Sequence, residues 1–231
     1  MMIIVGSIWQ QQLSIKRHLA ELFPIHYVRI GGIFQYLDKD AIQYNVEPLV
    51  LEGFFSANVQ EIRDAVLSLP WVDKTTVKHS WPDTIDIKVY EQVPYIRWGE
   101  QGLLNKRGES FIPNSVEAFK SLAMITAPEG YEKRALETLI SLELLLIDYS
   151  LEIKHFTISE RLSWQIELSN GVQILLGRKA QLKNFQRFLT TFAVLGEQRI
   201  EAISQVDLRY PNGFAIRWRE GYPIIKKNKL K

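Results

Sequence analysis

Four histidines, His18, His26, His79 and His155, are the only imidazoles available for metal binding or proton transfer. No two of them stand at helical ligand spacing, and none sits in a His-Glu-x-x-His arrangement. With no cysteine in the chain, a disulfide, a thiolate metal site and a cysteine nucleophile are all excluded. That absence agrees with an oxidising compartment without requiring one. Gly31-Gly32 is not a dinucleotide fingerprint. There is no Gly-x-x-x-x-Gly-Lys phosphate loop and no Gly-x-Ser-x-Gly elbow. Carboxylates such as Glu160 and Glu167 read as solvated faces, and Phe185, Phe188 and Phe192 as the core stripe of a helix. The residues therefore point to no cofactor, no metal and no catalytic apparatus, and favour a binding module over an enzyme.

One stretch does offer a binding chemistry. From Ile203 to Trp218 the chain alternates, with Val206, Leu208 and Tyr210 against Gln205, Asp207 and Arg209. Phe214, Ile216 and Trp218 then stand against Ala215, Arg217 and Arg219. A period of two means strands with one buried face. Tyr210-Pro211-Asn212-Gly213 between them reads as a turn, with Gly213 available for a left-handed conformation. The pair is a β-hairpin at the end of the folded chain. A terminal strand at a sheet edge leaves N–H and C=O groups unpaired, and a second polypeptide can pair with them by strand addition. Arg209, Arg217 and Arg219 alternate with aromatics there, but a formal net charge of +2 argues against a nucleic-acid surface.

The elements that must carry this hairpin follow from patterning. The length of 231 residues, 46% hydrophobic and 23% charged, suits one large or two small globular domains. His26 to Ile30 reads as a strand closed by Gly31-Gly32. Asp38 caps a helix that stops near Pro48, and Ser56 or Asn58 caps a second with Val59, Ile62, Ala65, Val66 and Leu69 on one face. Thr75–Lys78 and Thr84–Val89 flank a turn at Ser80-Trp81-Pro82-Asp83. The result is β-α-α-β-β. Gln92-Val93-Pro94 marks a junction. Beyond it come short strands at Leu103-Leu104 and Ser110–Ile112, a helix from Tyr131 to Tyr149, and strands at Lys154–Ser159 and Ser163–Leu168. A hairpin across Asn170-Gly171 reaches Val172–Leu176, and a helix from Ala180 to Gly196 precedes the final hairpin. The fold class is α+β.

The ends differ in character. Met1 to Trp9 is apolar and then the chain turns polar at Gln10. Nine residues cannot span a bilayer, which needs roughly 20. The run has no basic segment before it and no cleavage site after it, so it is a poor signal peptide. It reads either as the outer half of a spanning helix or as a packed N-terminus. Lys226 to Lys231 reads as a solvated basic tail.

These motifs, in order, resemble the FtsQ/DivIB family of bacterial division proteins. The likeness rests on Leu69-Pro70-Trp71-Val72, Val77–Asp83 and Glu91–Trp98, then Asn105–Phe111 and Ala127–Gly130. It continues through Ser163–Leu168 with Leu176-Gly177-Arg178, and ends at Val206–Tyr210. It covers Ile25 to Trp218. The resemblance implies a membrane anchor remnant and juxtamembrane helix at 1–24 and a POTRA domain at 25–93. A β domain at 94–222, with two helices and an antiparallel meander ending in an edge hairpin, and a basic tail at 223–231 complete the layout. It implies a non-catalytic scaffold in the cell inner membrane, with one span, a periplasmic folded part and enrichment at the septum. Its implied partners are FtsB, joined by strand addition, and FtsL. Carried over by position, the partner-binding residues are Arg161, Arg209, Tyr210, Gly213, Phe214, Ala215, Ile216 and Trp218. In this expectation Phe214, Ala215 and Ile216 supply ladder hydrogen bonds and Trp218 anchors the strand on the core. A POTRA-type chaperone or translocation module is the rival reading. It is disfavoured because that class carries several POTRA units or a barrel.

Overall fold

The computed structural model of the chain describes residues 22–149, 151–195, 201–211 and 213–221. The apolar N-terminal run, the rest of the expected anchor up to residue 21 and the basic tail lie outside them. Among the described residues no helix is long and apolar enough to cross a membrane. The chain divides into two compact units between Val93 and Pro94.

The first unit runs β1 (Tyr27–Gly31), α1 (Lys39–Val50), α2 (Val59–Leu67), β2 (Val72–Ser80) and β3 (Thr84–Glu91). This is the expected β-α-α-β-β order. The sheet order is β1-β3-β2, with β1 parallel and β2 antiparallel to β3. Asp38 caps α1 by accepting the Asp40 N–H, and Asn58 caps α2 by accepting from Gln60. The first helix does not stop at Pro48 but continues to Val50. Proline removes one N–H yet already holds a helical φ, so the last turn survives it. Ile42, Val46, Ile62 and Val66 pack on Ile85, Ile87 and Val89 to form the core. A second device ties the β1–α1 connection to the sheet. The Glu91 carboxylate accepts the N–H groups of Gln35 at 2.7 Å, Tyr36 at 2.6 Å and Leu37. Three consecutive donors around one anion form a nest that a neutral side chain cannot replace.

The second unit is a nine-stranded mixed sheet with two helices. Its strands are β4 (Ile96–Trp98), β5 (Gly102–Leu104), β6 (Ser110–Phe111), β7 (Met124–Thr126), β8 (Ile153–Ile158), β9 (Trp164–Leu168), β10 (Gln173–Gly177), β11 (Ile203–Asp207) and β12 (Ala215–Trp218). Helix α3 is Glu132–Leu146 and α4 is Gln181–Leu195. The side chains of Phe192 and Leu195 lie outside the described residues. The sheet order is β12-β11-β10-β9-β8-β7-β4-β5-β6. The antiparallel meander β8-β9-β10 is followed by a parallel step to β11, because α4 carries the chain back. One registered row, Ile125, Phe156, Ile166, Ile174, Val206 and Ile216, crosses six strands. All but Ile216 are buried, and Ile216 is half-buried against them. Leu136, Leu139 and Leu142 of α3 and Phe185, Phe188 and Leu189 of α4 complete that core. Leu182, in the first turn of α4, is 40% exposed.

The neighbouring row, Met124, His155, Glu167, Gln173, Gln205 and Arg217, is polar apart from its methionine. His155 Nε2 lies 2.9 Å from the Thr126 hydroxyl. Burial lowers the His155 pKa from its ordinary value; Glu167 opposes the shift and Arg97 reinforces it.

Two outcomes follow. Glu91→Gln should lower the stability of the first unit by about 1–3 kcal/mol, read as a shift in its urea midpoint. His155 takes a proton more readily when unfolded, so its contribution is complete above about pH 6.5 and is lost as pH falls through the lower folded value. Urea midpoints of the second unit at pH 7 and pH 5 should therefore differ less in His155→Gln than in the parent; an unchanged difference would refute this.

Candidate functional site

β12 is the last strand of the nine-stranded sheet and pairs only with β11 among the described residues. Which of its peptide groups are engaged follows from two hydrogen bonds. The Leu208 N–H donates to Leu175 O on β10 at 2.8 Å, so by alternation Asp207 and Gln205 turn their groups toward β12. At the far end the Arg219 N–H donates to Ala202 O at 2.7 Å. Arg217 and Ala215 share that inward phase, in register with Gln205 and Asp207. The N–H and C=O groups of Ile216 and Trp218 therefore point outward, where no described strand lies. The expectation that Ala215 offers its backbone to a partner is thus corrected: period two turns it inward to β11.

A bulge between Ile203 and Gln205 shifts the phase of β11 at its start, while β12 alternates without a break. The extra residue, Ser204, donates its hydroxyl to Arg217 O at 3.0 Å. It also lets Ile203 and Val206, three apart, both face the core. The expected tight turn is longer than a two-residue hairpin loop, since the strands end at Asp207 and resume at Ala215. Asn212 lies outside the described residues. Gly213 and Phe214 precede the strand, and Phe214 packs edge-on against Phe188 at 5.4 Å.

Strand directions bring most of the named side chains to one end of the sheet. β8, β10 and β11 all finish there and β12 begins there. Arg161 is exposed in the β8–β9 turn at that end, between three and four strand spacings or roughly 17 Å across from β12. Tyr210 is 54% exposed beside the start of β12. Arg209 is less available than its alternation suggests. Its Nε and Nη2 donate to Asp207 at 2.8 and 2.6 Å, and its N–H to the same carboxylate at 3.0 Å. The hydrogen bond from Arg209 holds the Asp207 carboxyl below its usual range. The Arg209 stem runs over Gly177, whose φ is +75° and where an added Cβ would lie 2.9 Å from Arg209 Cγ. Trp218 stands at the other end of the strand and is 36% exposed. Phe214 and Ile216 pack on the core and anchor β12.

Among the described histidines, His26 contacts Asp83, His79 packs on Phe54 and His155 meets Thr126. Two residues with a bearing on the edge were not singled out from sequence, Asn184 and Arg187 of α4. Both donate to carbonyls of the β11–β12 connection. Their i, i+3 spacing on a helix was the available signal.

Comparison with known proteins agrees with this architecture. A family profile described as POTRA domain, FtsQ-type, matches residues 23–92. A second, described as Cell division protein FtsQ/DivIB, C-terminal, matches residues 96–209. The chain is 41% identical to the cell division protein FtsQ of Methylomonas methanica over 225 residues, 97% of this chain and 90% of that one. It is 31% identical to FtsQ of Xanthomonas campestris pv. campestris over 87% of this chain and 72% of that protein. It is 28% identical to FtsQ of Coxiella burnetii over 89% and 84%. With a two-unit fold, both profiles and close relatives along almost its whole length, the chain belongs to the FtsQ/DivIB family of cell division proteins.

Proposed function

We propose that this chain is a non-catalytic scaffold of the division machinery that receives a strand of FtsB on the outer edge of β12. Through FtsB it gathers FtsL and links the pair to septal peptidoglycan synthesis. Its folded part works in the periplasm, tethered to the inner membrane by its N-terminal segment. The observation that carries this reading is the outward phase of Ile216 and Trp218 at an edge with no described neighbour. A partner strand paired there continues the ladder by hydrogen bonds alone, and side chains on alternate faces select it. Tyr210 and Trp218, both exposed, offer large apolar faces with polar tips, the type enriched at binding hot spots. Exposed arginines at the Tyr210 end, Arg161 above all, complement acidic groups on a partner helix lying alongside.

Proline scanning tests the phase directly. Proline at 218 removes an outward donor and leaves the β11 ladder intact, as edge strands tolerate. Trp218→Ala removes only the ring. Trp218→Pro should therefore bind the soluble FtsB segment about tenfold more weakly than Trp218→Ala, the value of one hydrogen bond. Equal dissociation constants for the two variants would sink strand addition at this edge. Ala215→Pro, by contrast, breaks the bond to β11 and should lower stability. Tyr210→Ala should weaken the FtsB segment by about tenfold or more with an unchanged urea midpoint; calorimetric titration showing parental affinity would remove Tyr210 from the contact.

A further inference from the structure

β12 is four residues long, has one described neighbour, and that pairing contains a bulge. Such a strand is at the low-stability end of any fold and frays readily by itself. Yet strand addition requires it to be extended and in register when the partner arrives. Two guanidinium groups sit where they can enforce this.

At the start of the strand, half-buried Arg187 reaches from α4 across the β11–β12 connection. Its Nη1 donates to Pro211 O at 2.9 Å, and its Nη2 to Gly213 O at 3.3 Å and Tyr210 O at 3.5 Å. Asn184, one turn earlier, donates to Leu208 O at 3.3 Å. At the end of the strand, Arg219 Nε donates to Ile203 O at 3.0 Å, and its Nη2 to Asn170 O in the β9–β10 turn at 2.6 Å. No carboxylate among the described residues pairs with either arginine. Both cations are spent on backbone carbonyls. A planar fork with five donors can hold several carbonyls at once, which a lysine ammonium does with less geometric definition. Between these two ties, the outward groups of Ile216 and Trp218 remain unpaired among the described residues.

We propose that Arg187 and Arg219 are positioning residues that hold β12 extended and in register at its two ends before a partner strand joins it. The inference rests on the strand-addition reading for its consequence, although the ties themselves do not. Ordering the edge in advance removes part of the cost of ordering it on binding. Where the competent state is only partly populated, apparent affinity falls in proportion.

The test uses the full chain and four variants, Arg187→Ala, Arg187→Lys, Arg219→Ala and Arg219→Lys. Amide exchange is followed at Ala215 and Arg217, whose N–H groups face β11, and at Phe156 and Ile166 in the middle of the sheet. The soluble FtsB segment is titrated in parallel. Each alanine variant should speed exchange at Ala215 and Arg217 about tenfold, leave Phe156 and Ile166 unchanged, and weaken the segment by a similar factor. The lysine variants should fall between, and they carry the test if an alanine variant does not fold. Unchanged exchange at Ala215 and Arg217 overturns the proposal. So does acceleration shared equally with Phe156 and Ile166, which is loss of global stability, or faster edge exchange with parental affinity. A parent chain that does not bind the segment removes the strand-addition reading instead, and the exchange data still decide whether the arginines hold the strand.

Discussion

The second unit depends on a constraint that no side chain can relax: a strand has two edges, and its peptide groups alternate between them. In the interior of the nine-stranded sheet both edges are filled. At β12 only one is. The Leu208 and Arg219 N–H bonds define which residues serve β11, and everything left over is displayed. A one-residue slip of β12 against β11 would exchange the displayed set.

The same sheet solves a packing problem across its width. A single row of apolar residues from Ile125 to Ile216 forms the seat for α3 and α4. The edge strand takes part in this row through Ile216 and is pinned by Phe214 against Phe188. β12 is therefore held by its core face, and no described strand lies along its outer edge.

The first unit shows a related use of backbone polarity. Glu91 at the end of β3 gathers three N–H groups from the loop before α1. In the second unit Arg187 gathers carbonyls from the loop before β12. An anion collects donors and a cation collects acceptors, and each orders an irregular segment that the regular ladders do not reach.

Much of this was legible in the residues. Period-two and helical patterns located the strands and helices of both units, and Asp38 and Asn58 announced two helix starts, because these signals are local and repeat every few residues. The final hairpin and its core-facing Val206 and Leu208 come from the same alternation, whereas Tyr210, in phase with them, is exposed. Strand order, the parallel step at β11, the inward turn of the Ala215 peptide, the pairing of Arg209 with Asp207 and the reach of Arg187 came only from the fold. Each depends on which distant segment lies alongside. Alternation tells which residues share a face but leaves open which peptide groups meet a neighbour, since that phase is set by bonds between segments far apart in the chain.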